Sequence, residues 1–120
     1  MRDLVAILAF VVILSGVAFG HARLLKSEPP NDAMLRVPPK VVRIWFNDEL
    51  DPKQSSLSVW DSQGKQVDDG KGGVDLNDLD RTSMIVMLMP IGPGTYTVRW
   101  RAVSVDDLNV AQGTFRFTVT

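Results

Sequence analysis

Cysteine is absent from the 120 residues, which excludes disulfides, thiolate metal sites, a thiol nucleophile and lipid attachment through a cysteine. Histidine occurs once, at His21, so the chain cannot bring two imidazoles to one ion or one substrate. Neither sign of charge dominates, because 13 Lys and Arg against 14 Asp and Glu leave a net charge of −1. The basic footprint of a nucleic-acid binder is missing, and nucleic acid drops out as a partner. No segment has convincing helical periodicity. No Gly-x-Ser-x-Gly nucleophile motif occurs, and Gly70-Lys71-Gly72-Gly73 lacks both the spacing of a phosphate loop and a helix after it. Adjacent acids such as Asp48-Glu49 and Asp106-Asp107 read as solvated or capping groups in turns. The chain reads as a non-enzyme.

One long apolar run is present, over residues 4–17, broken only by Ser15 and Gly16, with Arg2 before it and small residues up to Gly20 after it. These are the parts of a secretory signal peptide. A membrane anchor would need roughly 20 apolar residues and a basic stop after them. Residues 1–20 are therefore expected to be a leader and 21–120 the mature domain, delivered to the periplasm or the exterior with no membrane span left. Cleavage after Ala18 or Ala22 satisfies the same small-residue rule. Cleavage after Gly20 makes His21 the first residue, whose α-amine and ring Nδ1 can together chelate one metal ion.

About a hundred residues then remain, enough for one core and one domain. Between Pro- and Gly-rich punctuation the segments alternate with period two, at 23–27, 41–46, 57–60, 65–67, 83–89, 95–104 and 113–120, with a short strand around 74–76 inside an irregular 68–80 connection. About seven such strands predict an all-β, single-domain, antiparallel Greek-key barrel or sandwich of immunoglobulin-like shape. Phe46, Trp60, Tyr96, Trp100, Phe115 and Phe117, surrounded by Val42, Ile44, Val86, Leu88, Val98 and Val119, are the expected core. Such a core can hold the domain without a staple. Arg43, Arg99, Arg101 and Arg116 fall on the outer faces, where solvation and pairing with acids is the plain reading.

Several stretches in order resemble the CopC-type periplasmic copper-binding proteins. The mature start is His21-Ala22-Arg23-Leu24-Leu25-Lys26-Ser27-Glu28-Pro29-Pro30; next come Asn31-Asp32-Ala33-Met34-Leu35, Pro38-Pro39 and Val42-Arg43-Ile44-Trp45-Phe46-Asn47-Asp48. The segment Gly94-Thr95-Tyr96-Thr97-Val98-Arg99-Trp100-Arg101-Ala102-Val103-Ser104-Val105-Asp106 and the closing Gly113-Thr114-Phe115-Arg116-Phe117-Thr118-Val119 complete the match. The resemblance implies a Greek-key barrel that binds Cu(II) through the amine and ring of the first His, an Asp, and a second His two residues after that Asp.

The chain departs from this pattern at the site itself. Counting forward from Trp100 matches Asp106 to the family's Asp and puts Leu108 at the His; counting back from Gly113 matches Asp107 and Asn109. Both registers lose the imidazole. The expected ligand set is His21 with Asp106 or Asp107, and Asp48 or Asn109 as outer or substitute ligands. An amine, an imidazole and a carboxylate still suit Cu(II), more weakly. The implied partners are the copper ion and a membrane copper importer or other envelope protein, and the implied role is holding or delivering copper. The alternative is a metal-free immunoglobulin-like module that binds an envelope component. Met84, Met87 and Met89 share one expected strand; thioethers suit Cu(I), but Met84 faces away from the other two. Met84 as a core filler, with Ile85, Met87 and Met89 covering the surface, is the plainer reading.

Overall fold

The computed structural model describes residues 22–120. The expected leader and His21 lie outside the described residues, as does the boundary drawn between them. Eight strands follow one another with no helix between them among the described residues: β1 (Leu24–Glu28), β2 (Ala33–Leu35), β3 (Val41–Phe46), β4 (Ser56–Trp60), β5 (Gly73–Val74), β6 (Ser83–Met87), β7 (Gly94–Val103) and β8 (Val110–Val119). They form two four-stranded sheets, β1-β3-β6-β5 and β2-β8-β7-β4. The all-β sandwich expected from period-two patterning is the fold observed.

Alternation explains why the two sheets pack. In β3 Val42, Ile44 and Phe46 point inward and are buried, while Arg43 and Trp45 are half-exposed on the outer face. In β7 and β8 Tyr96, Val98, Phe115, Phe117 and Val119 do the same, with Tyr96 stacked on Phe117 at 5.5 Å between ring centroids. Met84 is fully buried and fills the core, as its position on β6 predicted. Leu50, Leu57, Val59 and Ala102 complete the core from positions that the period-two reading did not single out.

Three expectations are corrected. Trp60 is on the outer face: β4 buries Leu57 and Val59 and turns Ser58 and Trp60 out, so the indole lies under the Arg99 guanidinium at 4.7 Å and donates to Ser58 Oγ. An aromatic side chain on an outer face is stabilised there by cation–π contact and a polar handle. The sheets are not wholly antiparallel, because β2 runs parallel to β8 with Ala33 opposite Phe117 and Leu35 opposite Val119. Three residues are too few to show a period, so this strand was hidden in a proline-bounded turn cluster. Residues 65–67 are not a full strand, though Gln66 bridges to Trp60 and Val67 N–H bonds Val59 O at 2.9 Å.

The connection over 68–80 is irregular, as read, and tied down by acids. Asp68, buried, accepts from Val59 N at 2.7 Å and from Gly70 N at 2.7 Å. Asp75 takes the Arg43 guanidinium at 2.8 Å and the Asn77 N–H at 3.0 Å. Gly72 passes so close to the backbone of Leu57 that a Cβ there would overlap its carbonyl oxygen. The outer-face arginines are engaged locally: Arg43 by Asp75, Arg116 by Asp32 at 3.1 Å, Arg99 by Trp60, and Arg101 by Gln54 O at 2.8 Å.

Candidate metal centre

The sandwich has two ends, and the expected ligands among the described residues, Asp48, Asp106, Asp107 and Asn109, lie at one of them. β3 leaves its sheet at Phe46, β6 enters at Ser83 opposite Trp45, and β7 and β8 meet at Val103 opposite Val110. The loops at this end are therefore 47–55, 75–82 and 104–109. The start of the described chain comes to the same end. Arg23 and Asn47 bond reciprocally: Arg23 N donates to Asn47 Oδ1 at 2.6 Å, and Asn47 N donates to Arg23 O at 3.1 Å. Ala22 is buried in the core, 3% exposed, which fixes the chain as it enters β1.

Asp48 is half-buried and already engaged. Its Oδ2 accepts from the fully buried Ser104 hydroxyl at 2.7 Å, and its Oδ1 accepts from Glu49 N at 2.9 Å. Ser104 also bridges to Leu50, and Val105 N donates to Glu49 O at 3.0 Å. The first and last of the expected ligand loops are thus one hydrogen-bonded unit. Hydrogen bonding on this scale makes the loop over 104–109 a formed structure rather than a solvated tether.

Within that loop Leu108 N donates to Ser104 O at 2.9 Å and Ser104 N to Asn109 O at 3.1 Å, closing a compact turn. Asp107 Oδ1 accepts from Asn109 N at 3.0 Å, a local Asx turn that occupies one of its oxygens. Asp106 is exposed, and among the described residues no hydrogen bond reaches its carboxylate. Leu108 is held at a φ of 59°, a left-handed conformation that costs a leucine energy.

The structure therefore brings Asp48, Asp106, Asp107 and Asn109 to one end of the molecule. It gives two of the carboxylates structural work and leaves Asp106 exposed. Among the described residues no three His, Cys, Asp or Glu side chains converge as a ready-made metal cage. Asn47 and Ser104, which set the positions of the chain start and of Asp48, were not singled out from sequence. The only available signal was a polar residue at each strand end, which is common to most turns. Met87 and Met89 are exposed at the opposite end of β6, so the thioethers are not part of this group.

Comparison with known proteins agrees with this architecture. Residues 24–120 match the family model described as the CopC domain. Copper transport protein CutJ of Bacillus subtilis strain 168 is 28% identical over 102 residues, which cover 85% of this chain; that match spans 19% of CutJ's own length. Protein YobA of Escherichia coli K12 is 27% identical over 120 residues, covering 99% of this chain and 94% of YobA. Among solved structures, CopC from Methylosinus trichosporium OB3b superposes with a TM-score of 0.72 at 27% identity, over 82% of this chain and 93% of that one. PcoC from Escherichia coli, a methionine-rich copper resistance protein, gives 0.69 at 28% identity, over 83% and 99%. Because the family model matches residues 24–120, all but the first two of the described residues, this chain belongs to the CopC family.

Proposed function

We propose that the exported protein binds one Cu(II) ion as cargo at the end of the sandwich formed by the 47–55 and 104–109 loops. The α-amine and Nδ1 of His21 would supply two nitrogens and Asp106 a carboxylate oxygen, with water or an amide oxygen such as that of Asn109 in the fourth place. The carrying observation is the reciprocal bonding of Arg23 with Asn47, next to Asp48. A residue two positions before Arg23 is limited by its two connecting peptides to roughly 7 Å of Cα separation from that anchor. Asp106 is favoured over Asp107 and Asp48 because each of those already accepts a hydrogen bond from its own loop. The donor set fits a metal that prefers tetragonal nitrogen and oxygen ligands.

Membership of the CopC family, and the copper transport and resistance roles carried in the names of CutJ and PcoC, support holding or delivering copper outside the cytoplasm. A membrane importer or other envelope protein is the receiver this role calls for. The protein acts in this reading as a binding protein and not as an enzyme. A free α-amine has an ordinary pKa of about 7.7 to 8.0, so protons compete for it near neutrality and copper affinity falls as pH is lowered. The loop that lacks an imidazole favours a second reading, a family scaffold that binds an envelope component without metal.

The test is a Cu(II) titration of the exported protein, with its first residue established by mass, followed by spin resonance. One equivalent bound with nitrogen coupling, lost in His21→Ala and in a form extended before His21, supports the chelate. Equal binding by the extended form rejects it. No binding at micromolar copper transfers the case to the metal-free module.

A further inference from the structure

At the opposite end of the sandwich, an apolar cleft of about 510 Å³ runs between the segment entering β3 and the segment leaving β6. Val37, Met87, Met89 and Ile91 line it, and the first three are 77%, 51% and 45% exposed. Its walls are preformed. Leu88 N donates to Lys40 O at 2.9 Å, Met89 N donates to Val67 O at 2.9 Å, and the Tyr96 hydroxyl donates to Gly92 O at 2.7 Å, which fixes the turn beyond Ile91. The one charged residue in the lining is Lys40, exposed, and Arg36 is exposed one residue before Val37. Neither cation pairs with a carboxylate among the described residues. Asp69, whose N–H reaches Met87 O, turns one carboxylate oxygen back on Lys71 N.

The two ends differ in their balance of charge. The end that carries Asp48, Glu49, Asp51, Asp78, Asp80, Asp106 and Asp107 against Arg23, Lys53 and Arg81 has an excess of acids, whereas the cleft end sets Arg36, Lys40, Lys65 and Lys71 against Asp61, Asp68 and Asp69, with Arg36 and Lys40 flanking the exposed apolar side chains. Exposed apolar tips flanked by unpaired cations are the chemistry of a surface that lies against an anionic bilayer. With a net charge of −1 the molecule as a whole has no attraction for such a surface, so the local arrangement has to supply it.

We propose that the cleft end docks on anionic phospholipid, with Val37, Met87 and Met89 entering the headgroup boundary and Arg36 and Lys40 on the phosphates. Docking this way turns the acidic end, with its candidate metal loops, toward the aqueous compartment. The proposal is independent of the copper reading, since it uses neither His21 nor the 104–109 loop.

The test is vesicle co-sedimentation of the purified exported protein without copper, on phosphatidylcholine alone and on phosphatidylcholine mixed with phosphatidylglycerol. Partitioning onto the mixed vesicles is expected to be about tenfold stronger, and to weaken with added salt. Lys40→Glu is expected to remove that preference, and the double variant Met87→Ser, Met89→Ser to weaken partitioning on both vesicle types. Leu79→Ser, at the acidic end, is expected to leave it unchanged. All four sites are exposed, and an unchanged thermal transition shows that the variants are folded. Equal partitioning on the two vesicle types, or binding that ignores Lys40→Glu and the methionine variant, overturns the proposal.

Discussion

Arg23 N donates to Asn47 Oδ1 at 2.6 Å, and Asn47 N returns a bond to Arg23 O at 3.1 Å. This pair joins the beginning of β1 to the end of β3 and to the loop that carries Asp48. Replacing Asn47 by Ala removes the side-chain acceptor and leaves the Arg23 N–H to water. Because the bond is exposed, the cost in stability is expected at the low end of about 0.5–1.5 kcal/mol by urea unfolding. Copper affinity is expected to fall about tenfold in a competition titration, as for a residue that orients a ligand without being one. Asn47→Asp, which keeps the acceptor, is expected to retain most of both.

Leu108 sits at a φ of 59° in the closed 104–109 turn. Glycine avoids the roughly 1–2 kcal/mol that a Cβ costs in that conformation, an advantage its greater unfolded-state freedom partly offsets, so Leu108→Gly is expected to raise the urea midpoint modestly. A loss of stability would mean that the exposed leucine side chain does more for the fold than its conformation costs. Leu108→His instead places an imidazole where the forward count from Trp100 expects one, and copper affinity is expected to rise, with a third nitrogen in the spin-resonance spectrum.

Trp100 lies across Gly113 on the neighbouring strand, and a Cβ on Gly113 would stand 2.5 Å from the indole ring. The ring in turn packs edge-on against Phe46, 5.1 Å between centroids. Gly113→Ala is expected to cost about 1–3 kcal/mol by displacing that pair, and to change the near-ultraviolet circular dichroism of the tryptophan. Trp100→Phe combined with Gly113→Ala is expected to recover part of the loss.

Asp78 organises the connection into β6. The Ser83 hydroxyl donates to it at 2.7 Å, and with the N–H groups of Asp80 and Thr82 it lowers the carboxyl below its ordinary value against the opposing effect of burial. The charged form is thus favoured by folding, so its contribution is complete above the unfolded pKa and lost as pH falls through the folded one. The stability difference between wild type and Asp78→Asn is expected to be largest near neutrality and to narrow as pH falls below the ordinary carboxylate range. A difference that stays constant with pH would assign Asp78 a purely steric role.

The parts of this protein that were legible from sequence are those where a local period decides the outcome. β3 is legible with its bounds because six residues alternate cleanly between proline and an Asn-Asp turn, and the Tyr96 to Trp100 strand is legible for the same reason. Trp60 departs from expectation because a two-residue period fixes which residues share a face but not which face is inside, and in β4 Leu57 and Val59 take the inner one. β2 escaped because its partner is remote and its length is below one full alternation. At the candidate site the ligand types were visible as letters, whereas the fastening of Asp48 by Ser104 spans 56 positions and has no local signature.

β8 lies inside its sheet, between β2 and β7, and the side chain of Asn31 receives an N–H from Arg116, 85 positions later. A polypeptide emerging from its amino end cannot finish that sheet until β8 has been synthesised, and until then β2 has no neighbour to pair with. Pairing across such a distance is slow to nucleate. Loss of the final strand would therefore strip the sheet of its middle and not merely of its edge.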